Sequence, residues 1–199
     1  MSQQTSEQTV ATLAPPAGTW EIDAGHSSVV AVAKHMMVAK TRGHFGSFSG
    51  RLHIGETPEE SWAEAEIDAA SIDTGVEMRD NHLRSADFMD VEKFPKISYR
   101  STGLEVTGDD TFRLHGDLTI RGITRPVVLD VEYAGTITDP QGANRVGFSA
   151  KGEIDREEFG MTWNMAIESG GVLVGKRLKV ELEVEAVQKA GQTAADTAA

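Results

Sequence analysis

The feature of this sequence that most constrains its fold is a run in which apolar and charged residues alternate without a break. From Leu178 to Ala186 every second residue is apolar, and the residues between them are lysine or glutamate. Because successive side chains of a β-strand point to opposite faces, this pattern predicts a strand with one buried and one hydrated face. The segments 112–121 and 127–133 alternate in a similar way.

Further strand-like runs bring the total to about eight strands. Turn residues separate several of them, as in Gly55-Glu56-Thr57-Pro58 and in the segments 107–110 and 138–142. Many strands joined by hairpin-length turns are typical of an antiparallel barrel or sandwich, so we predict an all-β fold. The additional runs are 27–36, 45–54, 62–67, 96–104 and 144–154.

A long segment, 71–95, interrupts the strand pattern. Within it Asp80 and Arg84 are four residues apart, a spacing that supports a helical turn. Phe94-Pro95 then closes the segment before the next strand. We predict a short helical excursion over residues 76–84, which in a compact β domain is typically a lid or a plug at one end.

The composition changes at both ends of the chain. Residues 1–17 are mainly Gln, Ser, Thr, Ala and Pro, and residues 188–199 lack large apolar side chains, so we predict two disordered tails around one domain over 18–187. The N-terminal segment has neither the basic nor the apolar region of a secretory signal. No window of the chain is apolar enough for a transmembrane helix, and we therefore expect a cytoplasmic protein.

Charge and cysteine content exclude several classes of function. The formal net charge of −12 argues against nucleic-acid binding, which needs a broad basic surface. The absence of cysteine excludes disulfides, thiol catalysis, iron–sulfur clusters and thiolate zinc sites.

The histidines are candidates for a metal site. None of them stands in an HxH or HExxH spacing, and no GxSxG nucleophile elbow is present, so we predict no metal, no cofactor and no catalytic residues. Because a barrel can bring ligands together from separate strands, a histidine-dependent metalloenzyme using Asp80 or Asp87 stays as an alternative. The six residues are His26, His35, His44, His53, His82 and His115.

The densest polar run is Arg79-Asp80-Asn81-His82-Leu83-Arg84. It is either a solvated helix with one weak ion pair, or a site in which arginine and histidine hold an anionic headgroup at a barrel mouth. The spacing alone does not separate the two interpretations.

The large apolar side chains leave a similar choice. Seven methionines, seven phenylalanines and three tryptophans are ordinary core fillers. An eight-stranded barrel, however, has the size at which the interior is either filled by side chains or holds one small ligand. Composition does not distinguish a side-chain-filled barrel, as in a stress or interaction protein, from a ligand-lined cavity.

Several stretches of the chain form an ordered set from Trp20 to Ala186. They are Trp20-Glu21-Ile22-Asp23 with His26-Ser27, Lys34-His35-Met36-Met37, Arg42-Gly43-His44-Phe45, Ser71-Ile72-Asp73-Thr74-Gly75, Arg79-Asp80-Asn81-His82-Leu83, Asp87-Phe88-Met89-Asp90-Val91 with Phe94-Pro95, Gly116-Asp117-Leu118-Thr119-Ile120-Arg121-Gly122 with Pro126, and Ile154-Asp155-Arg156 with Phe159-Gly160-Met161. Together they resemble the YceI-like family of polyisoprenoid-binding, lipocalin-like proteins.

The resemblance implies an antiparallel eight-stranded lipocalin-like β-barrel whose elongated apolar cavity holds a long prenyl chain. The family leaves the ligand open between a prenyl pyrophosphate and a prenyl quinone. Because such a lipid starts in a membrane, its transfer to the cavity nearly conserves apolar burial, and we expect a carrier and not a catalyst. Many relatives act in the periplasm or outside the cell. Transient membrane contact and a homodimer are compatible with this function.

Two sets of binding residues follow as hypotheses. The strand pattern predicts that the lipid chain is lined by Val30, Val32, Phe48, Ile97, Leu118, Ile120, Phe148, Met161 and Trp163. The polar residues predicted to bind the headgroup are His35, Arg42, Arg79, His82 and Arg84.

Overall fold

The computed structural model describes residues 15–166 and 170–188, which form β-strands and one α-helix. The predicted tails lie almost wholly outside the described residues, and their disorder stays a prediction. The strands are β1 (Gly18–Ile22), β2 (Ser28–His35), β3 (Ala39–Phe45), β4 (Phe48–Ile54), β5 (Trp62–Asp68), β6 (Ile72–Asp73), β7 (Lys96–Val106), β8 (Thr111–Ile120), β9 (Ile123–Thr138), β10 (Asn144–Asp155) and β11 (Val174–Gln188), and the helix is α1 (Glu77–Arg84).

These strand segments form eight barrel strands, because three barrel strands are each interrupted once. β1 and β2 both pair with β11, so they are two halves of one strand that is broken at 23–27. In the same way β4 pairs with β1 while β3 pairs with β2, and β5 pairs with β4 while β6 pairs with β3. Each barrel strand is antiparallel to the next, and β11 returns to the first strand. The prediction of an antiparallel eight-stranded β-barrel is confirmed.

The pairing register shows which side chains point into the barrel. Residues directly opposite each other in an antiparallel pair share a face. Val184 lies opposite Phe148, and Leu182 lies opposite Ala150, so the apolar faces of β11 and β10 are on the same side of the sheet. The lysines and glutamates of the alternating run point outward, as the period of two predicts.

The two ends of the barrel differ in how they are covered. The helix end carries the β2–β3 and β8–β9 turns, α1 with the segment that follows it, and the long connection between β10 and β11. The terminal end carries Gly18 of β1, Gln188 of β11 and the other three turns. The helical excursion predicted for 76–84 is confirmed, with α1 covering 77–84. In the described residues no helix is both long and apolar enough to span a lipid bilayer.

Each end has its own apolar cluster. At the terminal end Trp20, Leu52, Val146 and Ala186 are buried together. The cluster at the helix end is larger and joins the barrel to the covering segments through Phe45, Ala69, Ile72, Phe88, Met89, Ile97, Ile120, Phe159 and Met161.

The ring of Tyr99 lies inside the barrel wall above Gly116. A Cβ atom at Gly116 would lie 2.5 Å from Cε2, Cζ and the hydroxyl oxygen of Tyr99, so only glycine leaves room for this ring. The Tyr99 hydroxyl is buried without a hydrogen-bond partner among the described residues. Burial raises the pKa of Tyr99 well above its ordinary value.

We predict that Gly116→Ala lowers the free energy of unfolding by about 1–3 kcal/mol, because the added methyl group overlaps the Tyr99 ring. Gly103→Ala is the matched control in the adjoining strand, since a Cβ at Gly103 meets nothing within 4 Å. Urea unfolding measures both variants. Equal stability of the two would show that the ring does not occupy the space above Gly116.

An ion network fixes the break between β1 and β2. Nη1 of Arg145 donates to Oδ2 of Asp23 at 2.9 Å and to Oε1 of Glu185, while Nε donates to Oδ2 of Asp139 at 2.7 Å. Nδ1 of His26 lies 2.9 Å from Oδ2 of Asp23. These contacts lower the pKa of the Asp23 carboxyl from 3.8 to about 2, and the hydrogen bond from Arg145 contributes more than the one from His26.

This pKa shift makes stability depend on pH. Between about pH 2 and pH 4 the unfolded chain binds a proton at Asp23 that the folded chain does not, so stability falls as the pH falls through this range. We predict that Asp23→Asn is less stable than the parent near neutral pH and that the difference narrows below pH 4. Urea midpoints measured across this range check the prediction, and a difference that is constant with pH would contradict it.

Candidate functional site

The barrel encloses a cavity of about 730 Å³ between the two apolar clusters. Inward-facing side chains along the wall, such as Leu114, Leu178 and Val180, are only partly buried, because they border this hollow and do not meet across it. Its apolar lining includes Val29, Ala31, Phe48, Leu52, Ile67, Ile97, Leu104, Phe112, Leu114, Leu118, Leu129, Val131, Phe148, Ala150, Leu178, Val180, Leu182 and Val184.

The size of the cavity decides between a filled and a ligand-lined barrel. Its volume lies within the ~300–1,000 Å³ of sites that enclose a small molecule. Because the walls do not meet, the apolar side chains lack packing partners on the side that faces the hollow. The hollow therefore favours an apolar occupant, and the side-chain-filled alternative does not describe this interior.

Charged and polar groups are distributed unequally along the cavity. At the helix end the basic side chains that border it are His35, Arg79, His82 and the buried Arg156, and Lys34 borders it from the outer face. At the terminal end Glu56 and Asp109 border it, whereas Glu64, Glu153 and Glu183 border it along the wall with side chains on the outer face. An anionic group is therefore favoured at the helix end and disfavoured at the terminal end.

His82 is held in a defined orientation at the helix end. Its Nε2 lies 2.9 Å from Oδ2 of Asp87. Its ring meets the rings of Trp163 and Phe88 edge-on, with centroid distances of 4.5 and 5.0 Å. All of these rings border the cavity, so His82 presents a polar edge within an aromatic wall.

Arg79 is anchored to the short segment between β6 and α1. Its Nε donates to Oγ1 of Thr74 at 2.7 Å, and Nη2 donates to the carbonyl oxygen of Thr74 at 2.9 Å. Because an arginine carries five N–H donors, these two bonds leave others for a ligand. The buried carboxylate of Asp80 accepts from the backbone N–H and the hydroxyl of Thr74, which fixes the turn into α1.

Arg156 positions the wall of the helix end and was not among the predicted site residues. It is 1% exposed, and its guanidinium donates to the carbonyl oxygens of Met161, Val174 and Gly175. Burial lowers the pKa of this guanidinium. The side chain ties the covering connection to the start of β11, and nothing in the local sequence pattern indicates this role.

Most of the predicted lining residues border the cavity. Those that do are Phe48, Ile97, Leu118, Ile120, Phe148, Met161 and Trp163. In β2 the structure differs from the prediction. Val30 lies opposite Glu181 and Val32 opposite Lys179, so both valine side chains belong to the outer face, although Val30 borders the cavity. The inward residues of β2 are Val29, Ala31 and Ala33.

The predicted headgroup residues divide into two groups. His35, Arg79 and His82 border the helix end of the cavity. Arg42 instead lies on the outer face, where its Nη1 donates to Oε2 of Glu181 at 2.6 Å. It borders a shallow groove beside Arg79, outside the cavity, and its role in headgroup binding stays a prediction.

Arg84 also departs from the prediction. Its Nε donates to the carbonyl oxygen of Ala70 at 2.8 Å and its Nη2 to that of Ile72 at 2.6 Å, so it ties α1 to the barrel. In a helix of 3.6 residues per turn, side chains five positions apart lie about 140° apart, whereas those three apart lie about 60° apart. Arg79 and His82 therefore share a face that Arg84 does not.

The structure gives little support to the metalloenzyme alternative. Among residues 15–166 and 170–188, the one group of three closely spaced ligand atoms belongs to Asp23, His26 and Glu185. Arg145 already binds both carboxylates of this group. His82 and Asp87 form a pair within the cavity wall.

Comparison with known proteins agrees with this architecture. The family model of the YceI-like domain matches residues 20–186. A UPF0312 protein of Staphylococcus aureus (strain USA300) is 38% identical over 166 residues, which cover 82% of this chain and 94% of that protein.

Solved structures show the same fold. The Campylobacter jejuni YCEI protein aligns with a TM-score of 0.68 and 25% identity over 95% of this chain and 99% of its own. Burkholderia cenocepacia BcnA aligns with a TM-score of 0.73 and 23% identity over 82% and 98% of the two chains. A polyisoprenoid binding domain from Saccharophagus degradans, implicated in plant cell wall breakdown, aligns with a TM-score of 0.63 and 14% identity over 87% and 100%. From the matched family model, the closed barrel and the curated relatives, this chain belongs to the YceI-like family.

Proposed function

We propose that the protein binds a long-chain polyisoprenoid lipid in the barrel cavity and carries or sequesters it without catalysing a reaction. The observation that carries the proposal is the continuous apolar lining of a 730 Å³ hollow that the protein's own side chains do not fill. The description of the Saccharophagus degradans domain as polyisoprenoid binding supports the same class of ligand.

The charge distribution supports one orientation of the ligand. The prenyl chain occupies the apolar hollow, and the headgroup lies at the helix end beside His35, Arg79 and His82. A phosphorylated headgroup fits these donors better than a neutral quinone does, because charge-assisted hydrogen bonds are stronger than neutral ones. At the terminal end Glu56 and Asp109 would repel a phosphate.

The energetics support a carrier. Burial of a chain of tens of carbons from water, at ~0.8 kcal/mol per CH₂, would exceed the practical affinity limit of roughly −18 to −21 kcal/mol. A polyisoprenoid starts from a membrane, however, and its transfer to the cavity nearly conserves apolar burial. Headgroup contacts then decide which lipid is chosen. The cavity would act in the same way in either compartment, so the expected cytoplasmic location stays a prediction.

The first test is native mass spectrometry of the full chain, followed by organic extraction. We expect the protein to carry, or to take up from detergent, a species whose mass is that of a prenyl lipid. Val180→Trp should abolish this added mass, because a large ring on the inward face fills the hollow, while Lys179→Trp on the outer face should keep it. A protein that neither contains nor takes up prenyl lipids would overturn the proposal.

A second prediction concerns the headgroup. We expect Arg79→Gln and His82→Gln each to weaken binding of a prenyl pyrophosphate by about 10–100-fold, the contribution of a hydrogen bond to a charged group. Binding of the corresponding prenol should change little. Arg113→Gln is the control, because Arg113 lies on the outer face near the terminal end, where its Nη1 donates to Oε2 of Glu105 at 3.3 Å. Titration in detergent measures all of them, and equal losses for prenol and pyrophosphate would place the headgroup elsewhere.

A further inference from the structure

Large apolar side chains are exposed together at the helix end. Val38 is 88% exposed and Met78 is 81% exposed, and Met36, Met37, Val76 and Met165 are exposed as well. We call these six residues the apolar tip. Single exposed apolar residues need no explanation, but a cluster of them marks a contact surface.

The members of the apolar tip come from three neighbouring elements. The backbone N–H of Met36 donates to the carbonyl oxygen of Leu173, and the N–H of Leu173 donates to the carbonyl oxygen of Met165. The β2–β3 turn therefore lies against the β10–β11 connection. Lys40 of β3 borders the same shallow groove as Arg79 of α1, which places the start of α1 beside them.

The β2–β3 turn is built from residues that its backbone disfavours. The N–H of Val38 donates to the carbonyl oxygen of His35 at 3.1 Å, and the φ angles of Met36 and Met37 are 49° and 62°. Positive φ at both central residues defines a type I′ turn, for which Asn-Gly is the favoured sequence. Two methionines here are locally unfavourable and are also exposed to water, so neither folding nor packing accounts for them.

Cations lie beside the apolar tip in a chain whose formal net charge is −12, although the tip also adjoins the carboxylates of Glu77 and Asp73. Lys34 and Lys40 lie directly opposite each other across β2 and β3, an arrangement of like charges that is destabilising. Lys40 interacts electrostatically with Glu181, but in the described part of the chain neither lysine forms a salt bridge. Arg79 adds a third cation on the neighbouring helix.

We propose that the apolar tip, with Lys34, Lys40 and Arg79 around it, docks the helix end of the barrel onto an anionic lipid bilayer. Methionine and valine side chains enter the boundary of the acyl chains while the cations face lipid phosphates. Lys34, His35 and Thr41 border the cavity as well, so the docked surface is continuous with the lipid site. The proposal rests on the proposed function, because it gives the lipid a route between bilayer and cavity.

The test is flotation of the full chain with vesicles. One set consists of phosphatidylcholine alone, and the other contains phosphatidylcholine and phosphatidylglycerol in equal amounts. We expect binding to the anionic vesicles, weaker binding to the neutral ones, and a loss of binding as salt is added.

The decisive variant is Met36→Asn with Met37→Gly. It gives the turn its favoured sequence, so the thermal midpoint should rise, while vesicle binding should fall by at least about tenfold as two apolar side chains are lost. Ile137→Ser is the matched control, since Ile137 is 67% exposed in β9, which runs to the terminal end, and its loss should not alter vesicle binding.

A separate variant tests the contribution of the cations beside the apolar tip. Lys40→Gln should weaken binding to anionic vesicles by about fivefold, which corresponds to one basic residue near the surface. Lys151→Gln, on the wall of the barrel in β10, should leave it unchanged.

Two results would overturn the docking surface: parent protein that binds neither kind of vesicle, or a double turn variant that binds vesicles like the parent. If that variant also converts a dimer to a monomer, the apolar tip is a contact between two copies of the chain. Uptake of a prenol from detergent, which involves no bilayer, separately tests the lipid site. If the parent fails only that assay, the proposed function is wrong and the vesicle result still decides the docking.

Discussion

The structure depends on the closure of the barrel by β11. This strand pairs with β10 on one side and with β1 and β2 on the other, and the ring closes through β1, β4, β5 and β7. Closure removes most of the free sheet edge that an open sheet of this size would expose, and among the described strands the short β6, which pairs with β3, keeps an edge at the helix end. Because the wall is held by its own backbone, the side chains inside do not have to meet at the centre. The barrel can therefore be stable at its two ends and hollow between them.

Close side-chain packing is concentrated in the two apolar clusters at the ends of the barrel, on either side of the cavity. Trp20 is fully buried at the terminal end, and Phe159 is 1% exposed at the helix end. The covering segments of the helix end are also held by arginine side chains that donate to backbone carbonyl oxygens, namely the buried Arg156 and the partly buried Arg84. Such bonds satisfy carbonyl groups that irregular segments cannot pair within a sheet. The helix end thus combines a polar framework with an aromatic lining, which suits the recognition of a headgroup.

The sequence predicts the barrel well where one face of a strand is charged. In β11 the alternation leaves one choice of face, and Leu178, Val180 and Leu182 point inward as expected. In β2 the run Val29-Val30-Ala31-Val32-Ala33 is apolar on both faces, so periodicity gives no choice between them. Arg42 and Glu181 pair across the outer face beside Val30 and Val32, and their hydrocarbon stems can cover apolar side chains there.

The candidate headgroup site could be predicted only in part, for a geometric reason. The run from Arg79 to Arg84 has the right residue types, but the helix turns Arg84 away from the face that Arg79 and His82 share. Arg84 donates to two backbone carbonyl oxygens as well as to Oδ1 of Asn81, and the acceptors of Arg156 are all backbone carbonyl oxygens. Because every residue type has a backbone carbonyl group, hydrogen bonds to these oxygens cannot be predicted from residue types. Trp163 and Met161 border the cavity, but they lie in the connection between β10 and β11, so the strand pattern from which they were predicted does not explain their position.

The lipid-carrier proposal has a kinetic consequence that equilibrium binding does not show. Moving a prenyl chain from bilayer to cavity nearly conserves its apolar burial, but a chain that crosses water on the way exposes each carbon in turn. One isoprene unit of five carbons would add about 4 kcal/mol to the barrier, which slows transfer roughly a thousandfold. A barrel whose cavity meets the bilayer directly avoids this exposure. The locally unfavourable methionine pair of the β2–β3 turn then has a physical reason, because the stability that it sacrifices is small beside the barrier that docking removes.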